Sequence, residues 1–579
     1  MHNKMFNIIE RAKMNKIWQY YDKINEEEII ELQEKFTLNR LLAEILVNRG
    51  ITINSANVFL NPTRHDFHNP YEMPDMGKAV NRIINAIENK EKVLIYGDYD
   101  VDGITSTTIL KQFLNERGLD VGTYIPNRLE EGYGLNNDAI KKIVEENYNL
   151  IITVDCGITS IEEVDLAKQN GLDVIITDHH EPGETLPNAI AVIDCKRKDN
   201  KYIFKELAGV GVAFKLIQAI CIDLNLKEEE YLKYLDIVAI GTISDIVPLV
   251  DENRVITSLG LKLVKCTKNL GLQAILNETE YSKIDSTTIS FGVAPRINAC
   301  GRMGLEKKAL DLLLEKNKDR AIILAKEINT YNNQRQLEEK NIFEEANAII
   351  KINNIEDEDA IVLGGTNWHT GVIGIVSSKI TENYYKPSIL ISFKDDEEIG
   401  KGSGRSIEGL DLHLALTKCK DLLNSFGGHS MAVGLSVSKN NFEKFKELFL
   451  KIVKESDVSK KVPIIQIDSI INIDEINKEI VQSLSLLEPF GEANKMPIFA
   501  FKNLKIDSIR SLSEGKHLKL SLKSNKNTYI NAIGFNLGKY VEEYRIGDKV
   551  DVAGNLEINS FNGMESIQIN IKDLKRAVI

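Results

Sequence analysis

Acidic and histidine residues directly follow three short apolar runs in the first half of the chain. Asp98, Asp100 and Asp102 follow the first run, Asp155 follows the second, and His179 belongs to a triplet that follows the third. Short apolar runs separated by amphipathic stretches are typical of buried parallel strands. Because ligands bind outside the carboxyl ends of strands in open α/β sheets, we expect these side chains to meet at one rim. The three runs are Val93–Tyr96, Leu150–Val154 and Val174–Thr177.

Carboxylates that cluster at one rim repel one another and lose solvation, and divalent cations are the simplest remedy. Carboxylate and imidazole ligands suit Mn²⁺ or Mg²⁺ better than they suit metals that prefer thiolates. Two such ions about 4 Å apart can activate a water and stabilise the leaving oxygen of a phosphodiester. Asp155 lies on the middle segment and is therefore the natural candidate to bridge them. The sequence predicts a site for two Mn²⁺ or Mg²⁺ ions.

Calcium binding and helix capping account less well for these acids. The spacing of Asp98, Asp100 and Asp102 resembles the start of a calcium-binding EF-hand loop, which needs a Glu at its twelfth position. Ile109 occupies that position, which disfavours calcium. A single Asp at a strand end is commonly a helix cap. Three acid-tipped strands in succession, one of them with two histidines, favour a metal site instead.

The elements that must position these residues follow from the apolar pattern. Between residue 92 and about residue 250, apolar runs alternate with amphipathic helices, which indicates βαβ units and a doubly wound parallel sheet. Residues 306–351 contain no Pro or Gly and predict one or two long connecting helices. Residues 359–450 return to α/β alternation with Gly-rich turns. After residue 458, short alternating strands predict a small β-barrel of OB type.

In combination, these motifs resemble the DHH phosphoesterase superfamily and, within it, the RecJ-type exonucleases. The resemblance implies that Asp100, Asp102, Asp155, His179 and Asp245 hold two metal ions, and that His180 orients His179 or a carboxylate. The motifs are Asp98–Gly103, Pro126–Leu135, Val154–Gly157, Asp178–His180, Ile243–Leu249 and Gly292–Met303.

The sequence departs from the wider superfamily at one position. The residue four before Asp100 is often His in that superfamily, and here it is Tyr96. This departure, which RecJ-like sequences share, leaves one metal with a different ligand set. We therefore include Asp98 among the expected ligands.

The second α/β region resembles the DHH-associated domain through Trp368–Ile375, Gly402–Ser406 and Gly427–His429. The resemblance implies that His429 and Arg405 act in catalysis beside Asp155 and His179. His429 can donate a hydrogen bond to the scissile phosphate, Arg405 offers a planar fork for phosphate, and a Gly-Gly turn exposes backbone amides to an anion. The alternative is that the glycines only close turns and that His429 is an ordinary surface histidine.

Arginines in other motifs are further candidates for phosphate contact, although an ordinary surface salt bridge is the commoner role of an arginine. By the resemblance, Arg128 lies near the pocket that recognises the 5′ end of DNA. The expected nucleic-acid contacts are Arg128, Arg296, Asn298, Arg302, Ser403, Arg405, Ser406, Gly427, Gly428 and His429.

The composition of the chain bears on its possible partners, its location and the state of its cysteines. The net charge of −13 argues at first sight against a nucleic-acid partner, but a nuclease needs only a local basic channel. No apolar stretch approaches the roughly 20 residues of a membrane span. Residues 1–16 lack the features of a signal peptide, so we expect a cytoplasmic protein. The six cysteines form no C-x-x-C pair, which disfavours a zinc ribbon and predicts reduced thiols.

The resemblance covers essentially the whole chain and predicts five regions. They are an N-terminal helical extension packing on the core (1–90), a DHH domain (91–305), connector helices (306–355), a DHH-associated domain (356–455) and an OB-like nucleic-acid-binding domain (456–579).

The expected activity is 5′→3′ hydrolysis of single-stranded DNA to 5′-mononucleotides in recombination and repair. The expected partners are single-stranded DNA, a single-stranded-DNA-binding protein and a helicase, and the protein is expected to be a monomer. One alternative is a DHH phosphodiesterase acting on short oligonucleotides or cyclic dinucleotides. Such relatives are generally shorter and lack the OB-like tail. A second alternative, a degenerate replication scaffold, has no need for so many mutually repelling carboxylates.

Overall fold

The computed structural model describes residues 16–21, 25–458, 461–561 and 564–577. The expectations for residues 1–15 therefore lie outside the described residues. The described part of the chain forms two compact units. The first contains residues 68–247 and 260–458 with 461–462, and the second contains the described residues of 16–67, 248–259 and 463–577. Among the described residues, no helix combines the length and apolar composition needed to cross a membrane.

The strands and helices are numbered in chain order. The strands are β1 (Ile17–Tyr20), β2 (Val93–Gly97), β3 (Val121–Tyr124), β4 (Leu150–Val154), β5 (Asp173–Asp178), β6 (Ala191–Asp194), β7 (Ile361–Thr366), β8 (Ser388–Phe393), β9 (Ile399–Arg405), β10 (Ser425–Gly428), β11 (Ala432–Ser438), β12 (Ile464–Ile467), β13 (Ser469–Ile470), β14 (Phe499–Leu512), β15 (His517–Lys523), β16 (Tyr529–Gly534), β17 (Lys549–Phe561) and β18 (Met564–Arg576). The helices are α1 (Glu26–Phe36), α2 (Arg40–Asn48), α3 (Ala56–Leu60), α4 (Met76–Asn89), α5 (Val101–Glu116), α6 (Asn137–Glu145), α7 (Ile161–Gln169), α8 (Gly209–Asp223), α9 (Glu229–Leu232), α10 (Leu235–Ser244), α11 (Asp251–Val264), α12 (Leu270–Asn277), α13 (Ala294–Arg302), α14 (Glu306–Leu314), α15 (Lys318–Ile352), α16 (Ile373–Tyr384), α17 (Leu412–Thr417), α18 (Lys439–Glu455), α19 (Lys478–Ser483) and α20 (Tyr540–Glu543).

The first unit begins with a five-stranded parallel sheet in the order β3-β2-β4-β5-β6. Its strands β2 and β4 are buried along their whole length, which explains their continuous apolar sequence. Helices α5, α8 and α10 pack on one another, and α5 and α8 also pack on this sheet. The predicted doubly wound parallel sheet is confirmed.

A long helix and a second sheet complete the first unit. The connector consists of α14 and the 35-residue α15, as the pattern over 306–351 predicted. The second sheet has the order β10-β11-β9-β8-β7, with β7 and β8 parallel and the other pairs antiparallel. Helix α16 packs on β8 and β9 of this sheet. Gly374, in the first turn of α16, lies close to Ser403 of the Gly-rich β9.

The second unit contains the predicted barrel. Strands β14, β15, β16, β18 and β17 pair in that order, and β17 returns to β14. This closure makes a five-stranded OB-like barrel, so the prediction for the tail is confirmed. The alternating sequence predicts strands at Leu518–Leu522, Tyr529–Ile533, Lys549–Ala553 and Ile567–Ile571, and these lie in β15, β16, β17 and β18.

Segments from the beginning of the chain share the core of the barrel. Ile29 of α1 and Leu42 of α2 belong to the same buried apolar cluster as Phe499, Phe501 and Leu520 of the barrel strands. Strand β1 pairs in parallel with β12 just before the barrel. The barrel strands of the tail therefore share one core with residues from α1 and α2.

A buried arginine joins the three segments of the second unit. Arg254 is 2% exposed, and its guanidinium lies 3.5 Å from the centre of the Phe59 ring. It donates to the backbone oxygens of Phe59, Leu487 and Glu488. Burial, with the nearby Arg49, lowers the pKa of Arg254 to about 9. Its hydrogen bonds must offset the cost of burying this charge.

Arg254→Ala is expected to destabilise the second unit by about 3 kcal/mol, because several buried carbonyls lose a charged donor at once. Chemical unfolding followed by tryptophan fluorescence and circular dichroism measures the change. Arg40→Ala is the control, because Arg40 forms an exposed ion pair with Glu26. The control should change stability by less than about 1 kcal/mol. Equal effects of the two variants would contradict the role of Arg254.

Candidate metal centre

The carboxyl ends of β2, β4 and β5 bring the predicted ligands together. Asp98 follows β2, Asp155 follows β4 and His179 follows β5. Asp100 is the N-cap of α5 and accepts hydrogen bonds from the amides of Asp102 and Gly103 at 2.9 and 3.1 Å. The N-terminus of α5 therefore helps to hold a negative charge at this rim.

The possible ligand atoms form three overlapping groups among the described residues, and one of these, Asp155 with His179 and His180, connects the other two. In one group, oxygens of Asp98, Asp100 and Asp155 lie within 4.8 Å of one another. In the other, atoms of Asp102, His179 and Asp245 lie within the same distance. His179 Nε2 lies 3.1 Å from Asp155 Oδ1, so Asp155 lies next to both groups.

The site fits divalent cations because its buried polar atoms lack other partners. Asp98 Oδ1, Asp155 Oδ1 and His179 Nε2 are buried and have no hydrogen-bond partner among the described residues. A buried polar atom without a partner is costly in free energy. Cations bound at the groups that contain these residues would satisfy all three atoms. The oxygen-rich ligand set suits Mn²⁺ or Mg²⁺.

Burial and mutual repulsion perturb the titration of these groups. Burial raises the pKa of Asp98, Asp155 and Asp245 well above the ordinary range, and neighbouring carboxylates raise it further. The same causes raise the pKa of Asp102 to about 7. Burial, together with His180, lowers the pKa of His179 to about 3, which keeps its imidazole neutral. A neutral imidazole is the form that binds metals.

The stability of the metal-free protein should fall as pH rises from Asp102's ordinary pKa of 3.8 towards about 7. In this range the folded state binds more protons than the unfolded state, so deprotonation disfavours folding. Thermal unfolding in EDTA across this pH range measures the slope of stability against pH. Asp102→Asn should flatten it, and Mn²⁺ should oppose it because metals bind deprotonated ligands. An identical slope in Asp102→Asn would contradict the assignment.

Asp178 organises the histidine pair, a role that the sequence did not reveal. Its Oδ1 accepts from the amide of His179 at 2.8 Å and lies 2.7 Å from His180 Nδ1, and its Oδ2 accepts from the Ile158 amide at 2.9 Å. Burial alone would raise the pKa of Asp178, but the bond from His180 holds it below the ordinary value. His180 also lies 3.0 Å from the Tyr133 hydroxyl. His180 therefore directly contacts a carboxylate.

The N-terminus of α8 was also not predicted as part of the site. The amides of Gly209 and Val210 donate to the two carboxylate oxygens of Asp102 at 2.6 and 2.8 Å. A Cβ added at Gly209 would lie 2.7 Å from Asp155 Cβ and 3.0 Å from Asp102 Oδ2. Only glycine lets this helix approach both carboxylates. The glycine-containing segment Ala208–Gly211, which comes after the Asp178–His180 motif, was the sequence signal that could have indicated this role.

Gly209→Ala should weaken Mn²⁺ binding about 10–100-fold, the usual effect of disturbing groups that orient metal ligands. The new methyl group would meet the Cβ of Asp155, which cannot rotate away. Gly211→Ala is the matched control, because its Cβ would meet only the flexible Leu207 side chain at 3.2 Å. Titration calorimetry with Mn²⁺ compares the two variants. Equal affinities would show that the contact at Gly209 is unimportant.

A cluster of arginines lies beside the carboxylates, since the charge of Arg128 acts on Asp98 and the charge of Asp100 acts on Arg302. Arg302 donates to the Gly371 carbonyl at 3.1 Å, and Arg405 donates to Ser403 Oγ at 3.0 Å. Burial and, to a lesser extent, the charges of Arg128, Arg335 and Arg405 together lower the pKa of Arg302 to about 9. Burial and then Arg128 also lower the pKa of Arg405. These cations repel one another and would be stabilised by a bound anion.

Other predicted contact residues have partners within the fold. Arg296 donates to Asn329 Oδ1 and to the carbonyls of Gly292 and Glu278 at 2.7–2.9 Å. Asn298 Oδ1 accepts from the Val101 amide at 3.3 Å, at the start of α5. The Ser406 hydroxyl donates to the carbonyl oxygen of Leu410 at 2.8 Å. The structure therefore gives these three side chains contacts within the protein.

The glycines before His429 lie in a strand rather than in the expected turn. Gly427 and Gly428 belong to β10 and pair with Gly434 and Val433 of β11. The turn follows them, and the His429 amide donates to the Ala432 carbonyl at 2.8 Å. The side chain of His429 is exposed.

Tyr96 stands where the wider superfamily often has a histidine. Its side chain is buried, and its hydroxyl donates to the Gly134 carbonyl at 3.1 Å. The Tyr96 ring also stacks on the Tyr124 ring, with 5.0 Å between the ring centres. Tyr96 therefore has a packing role at the end of β2.

Profiles of known families match three parts of the chain. The DHH family, N-terminal domain, matches residues 92–242, the DHHA1 domain matches 357–455, and the RecJ OB domain matches 467–573. The order of these three matches follows the order of the first sheet, the second sheet and the barrel.

Curated relatives and solved structures agree with these profiles. The chain is 38% identical to a single-stranded-DNA-specific exonuclease RecJ of Bacillus subtilis (strain 168), over 95% of this chain and 70% of the relative. It is 34% identical to that of Salmonella typhimurium (strain LT2), over 87% of this chain and 90% of the relative. Its structure resembles RecJ from Thermus thermophilus in complex with Mn²⁺, with a TM-score of 0.85 and 28% identity over 98% of this chain and 81% of that one. The chain therefore belongs to the RecJ family of DHH exonucleases and is a metal-dependent nuclease.

Proposed function

We propose that this nuclease degrades single-stranded DNA from the 5′ end and releases 5′-mononucleotides in recombination and repair. The observation that carries the proposal is the pair of ligand groups beside Asp155, in the same unit as the arginine cluster. The relatives from Bacillus subtilis and Salmonella typhimurium are named as single-stranded-DNA-specific exonucleases. The OB-like barrel supports a role for a single strand, because such barrels stack bases and neutralise backbone charge.

The metal centre would hold two ions. Asp98, Asp100 and Asp155 would hold one, and Asp102, His179 and Asp245 would hold the other, with Asp155 shared between them. When bound, such a pair supplies an activated water and stabilises the leaving oxygen of a phosphodiester. Known RecJ structures with Mn²⁺ and with Mg²⁺ support divalent metal use.

Protein groups around the metals would bind and orient the substrate. Arg128, Arg302, Arg405 and Ser403 would bind a phosphate at the 5′ end, which would give the enzyme its polarity. His429 would donate a hydrogen bond to the scissile phosphate as negative charge develops. Asp178 and His180 would keep His179 in place without contacting substrate.

We also propose protein partners, an oligomeric state and a cellular location on the basis of family membership. A single-stranded-DNA-binding protein and a helicase are the proposed protein partners. The proposed oligomeric state is a monomer, and the proposed location is the cytoplasm. Pull-down assays and light scattering on the purified full-length chain would test the partners and the oligomeric state.

Hydrolysis of end-labelled DNA tests the proposal. With a 5′ label on a long single strand, the label should appear at once in mononucleotides. With a 3′ label, the labelled strand should shorten gradually. Duplex DNA should resist, and EDTA should abolish the activity. Electron paramagnetic resonance of bound Mn²⁺ should detect spin coupling between two ions about 4 Å apart. Faster hydrolysis of very short oligonucleotides or cyclic dinucleotides than of long strands would favour the other DHH phosphodiesterase function.

A further inference from the structure

A histidine shapes the turn between β7 and α16. His369 Nδ1 accepts a hydrogen bond from the amide of Gly371 at 3.2 Å. The carbonyl of His369 also accepts from the amides of Val372 and Ile373 at 2.9 and 3.1 Å. Asn and Asp side chains commonly bond the amide two residues ahead in turns. His369 does the same here with a ring nitrogen, so its Nε2 carries the hydrogen of the neutral imidazole.

The turn that His369 shapes holds Arg302 from two sides. The Arg302 guanidinium donates to the Gly371 carbonyl at 3.1 Å. A Cβ added at Gly371 would lie 2.3 Å from the Arg302 carbonyl oxygen and 3.2 Å from His369 Cε1. Gly371 therefore packs directly on the backbone of Arg302 while it binds that residue's side chain. Any change in the orientation of the Gly371 peptide would move the acceptor of Arg302.

Arg302 needs such an acceptor because of its neighbours. The positive charges of Arg128, Arg335 and Arg405 act on it, and all four side chains belong to the first unit. The start of α16 also touches this cluster, since a Cβ at Gly374 would lie 3.1 Å from Arg405 Nη2 and 3.0 Å from Ser403 Oγ. Without a fixed carbonyl, repulsion among like charges would drive the guanidinium of Arg302 away.

We propose that His369 is a positioning residue, which holds the Gly371 carbonyl against Arg302 and thereby aims this guanidinium at a phosphate group of the substrate. The inference rests on the proposed function, because it assumes that the arginine cluster binds phosphate. It adds a residue that touches neither metal nor substrate. The hydrogen-bond acceptor of His369 is what matters, rather than the volume of its ring.

Two substitutions separate these properties. His369→Phe keeps the ring but removes the acceptor nitrogen, whereas His369→Asn loses the ring but can still accept from the Gly371 amide. His369→Phe should raise the dissociation constant for a 5′-phosphorylated single strand in EDTA about tenfold, a typical effect of a hydrogen bond to a charged group. His369→Asn should stay within about threefold of the wild type. Fluorescence anisotropy measures binding, and melting curves establish that each variant is folded.

Steady-state kinetics, and the same substitutions made in an Arg302→Ala variant, complete the test. His369→Phe should raise KM while kcat changes little, since the metal centre is intact. In an Arg302→Ala background, the Phe and Asn variants should bind equally. Exposed His65 of the second unit provides the control variant His65→Asn, which should bind like the wild type. Calorimetry with inorganic pyrophosphate tests, without DNA, whether the wild type and His369→Asn again bind more tightly than His369→Phe.

The outcomes distinguish the inference from the function on which it rests. Tighter binding by His369→Phe than by His369→Asn would overturn the inference, because ring packing would then be decisive. The inference would also be overturned if, in the Arg302→Ala background, His369→Phe still weakened binding of the single strand about tenfold. If the wild type neither binds nor hydrolyses single strands, the proposed function fails, whereas the pyrophosphate ranking still decides the role of His369.

Discussion

Asp155→Ala is expected to reduce hydrolysis of single-stranded DNA more than about 10³-fold, beyond the usual loss of a single oxyanion donor. Asp155 supplies an oxygen to the group with Asp98 and Asp100, and it lies 3.1 Å from His179 of the other group. Its removal therefore disrupts both proposed ion positions together. Hydrolysis of 5′-labelled single strands at saturating Mn²⁺ measures the loss, and calorimetry should detect fewer bound ions.

Two companion variants make the result specific. Asp155→Asn keeps the shape of the side chain without its charge and should lose nearly as much activity. Asp138→Ala removes an aspartate whose side chain is 85% exposed and should leave hydrolysis unchanged. Near-normal hydrolysis by Asp155→Ala in Mn²⁺ would rule out the shared-ligand arrangement.

His429→Ala should slow hydrolysis about 10²–10³-fold and should weaken DNA binding much less, since it removes one donor to a developing oxyanion. His429 directly follows β10, and its side chain is exposed beyond the paired strand. The amide bond to Ala432 does not involve the side chain, so the turn should survive the substitution. Single-turnover rates and anisotropy measurements in EDTA separate the chemical step from binding.

A matched comparison checks the specificity of this effect. His65→Ala alters another exposed histidine, in the second unit, and should leave both rate and binding unchanged. His429→Gln retains a hydrogen-bond donor and should recover part of the rate. If His429→Ala bound DNA far more weakly yet cleaved bound DNA at the original rate, His429 would be a binding residue only.

The clustering of the expected metal ligands was predictable because their positions depend on strand ends. Asp98, Asp155 and His179 follow buried runs whose parallel pairing puts their ends at one rim. The bond between the Gly209 amide and Asp102 was not predictable, since it depends on how α8 packs against α5. Asp178 was visible in its motif, but its role depends on the Ile158 amide in the loop after another strand.

Sequence pattern was least informative about side chains that bond backbone oxygens. An arginine in a motif suggests phosphate contact, yet Arg296 donates to carbonyls within the protein. The apolar periodicity of the sequence does not show which backbone carbonyl a long side chain will bond. In the same way, the alternating strands of the tail predicted a barrel, but they did not reveal that α1 and α2 share its core.

The three-segment construction of the second unit has a consequence for protein synthesis. Helices α1 and α2 are synthesised before the other two segments, and about 450 further residues separate the end of α2 from the start of β14, where their apolar partners begin. Chains emerge at about 5–20 residues per second, so those helices must wait tens of seconds for their partners. During that time their apolar faces are exposed to chaperones and to other nascent chains. A premature stop codon before β14 would therefore leave α1 and α2 without these apolar partners.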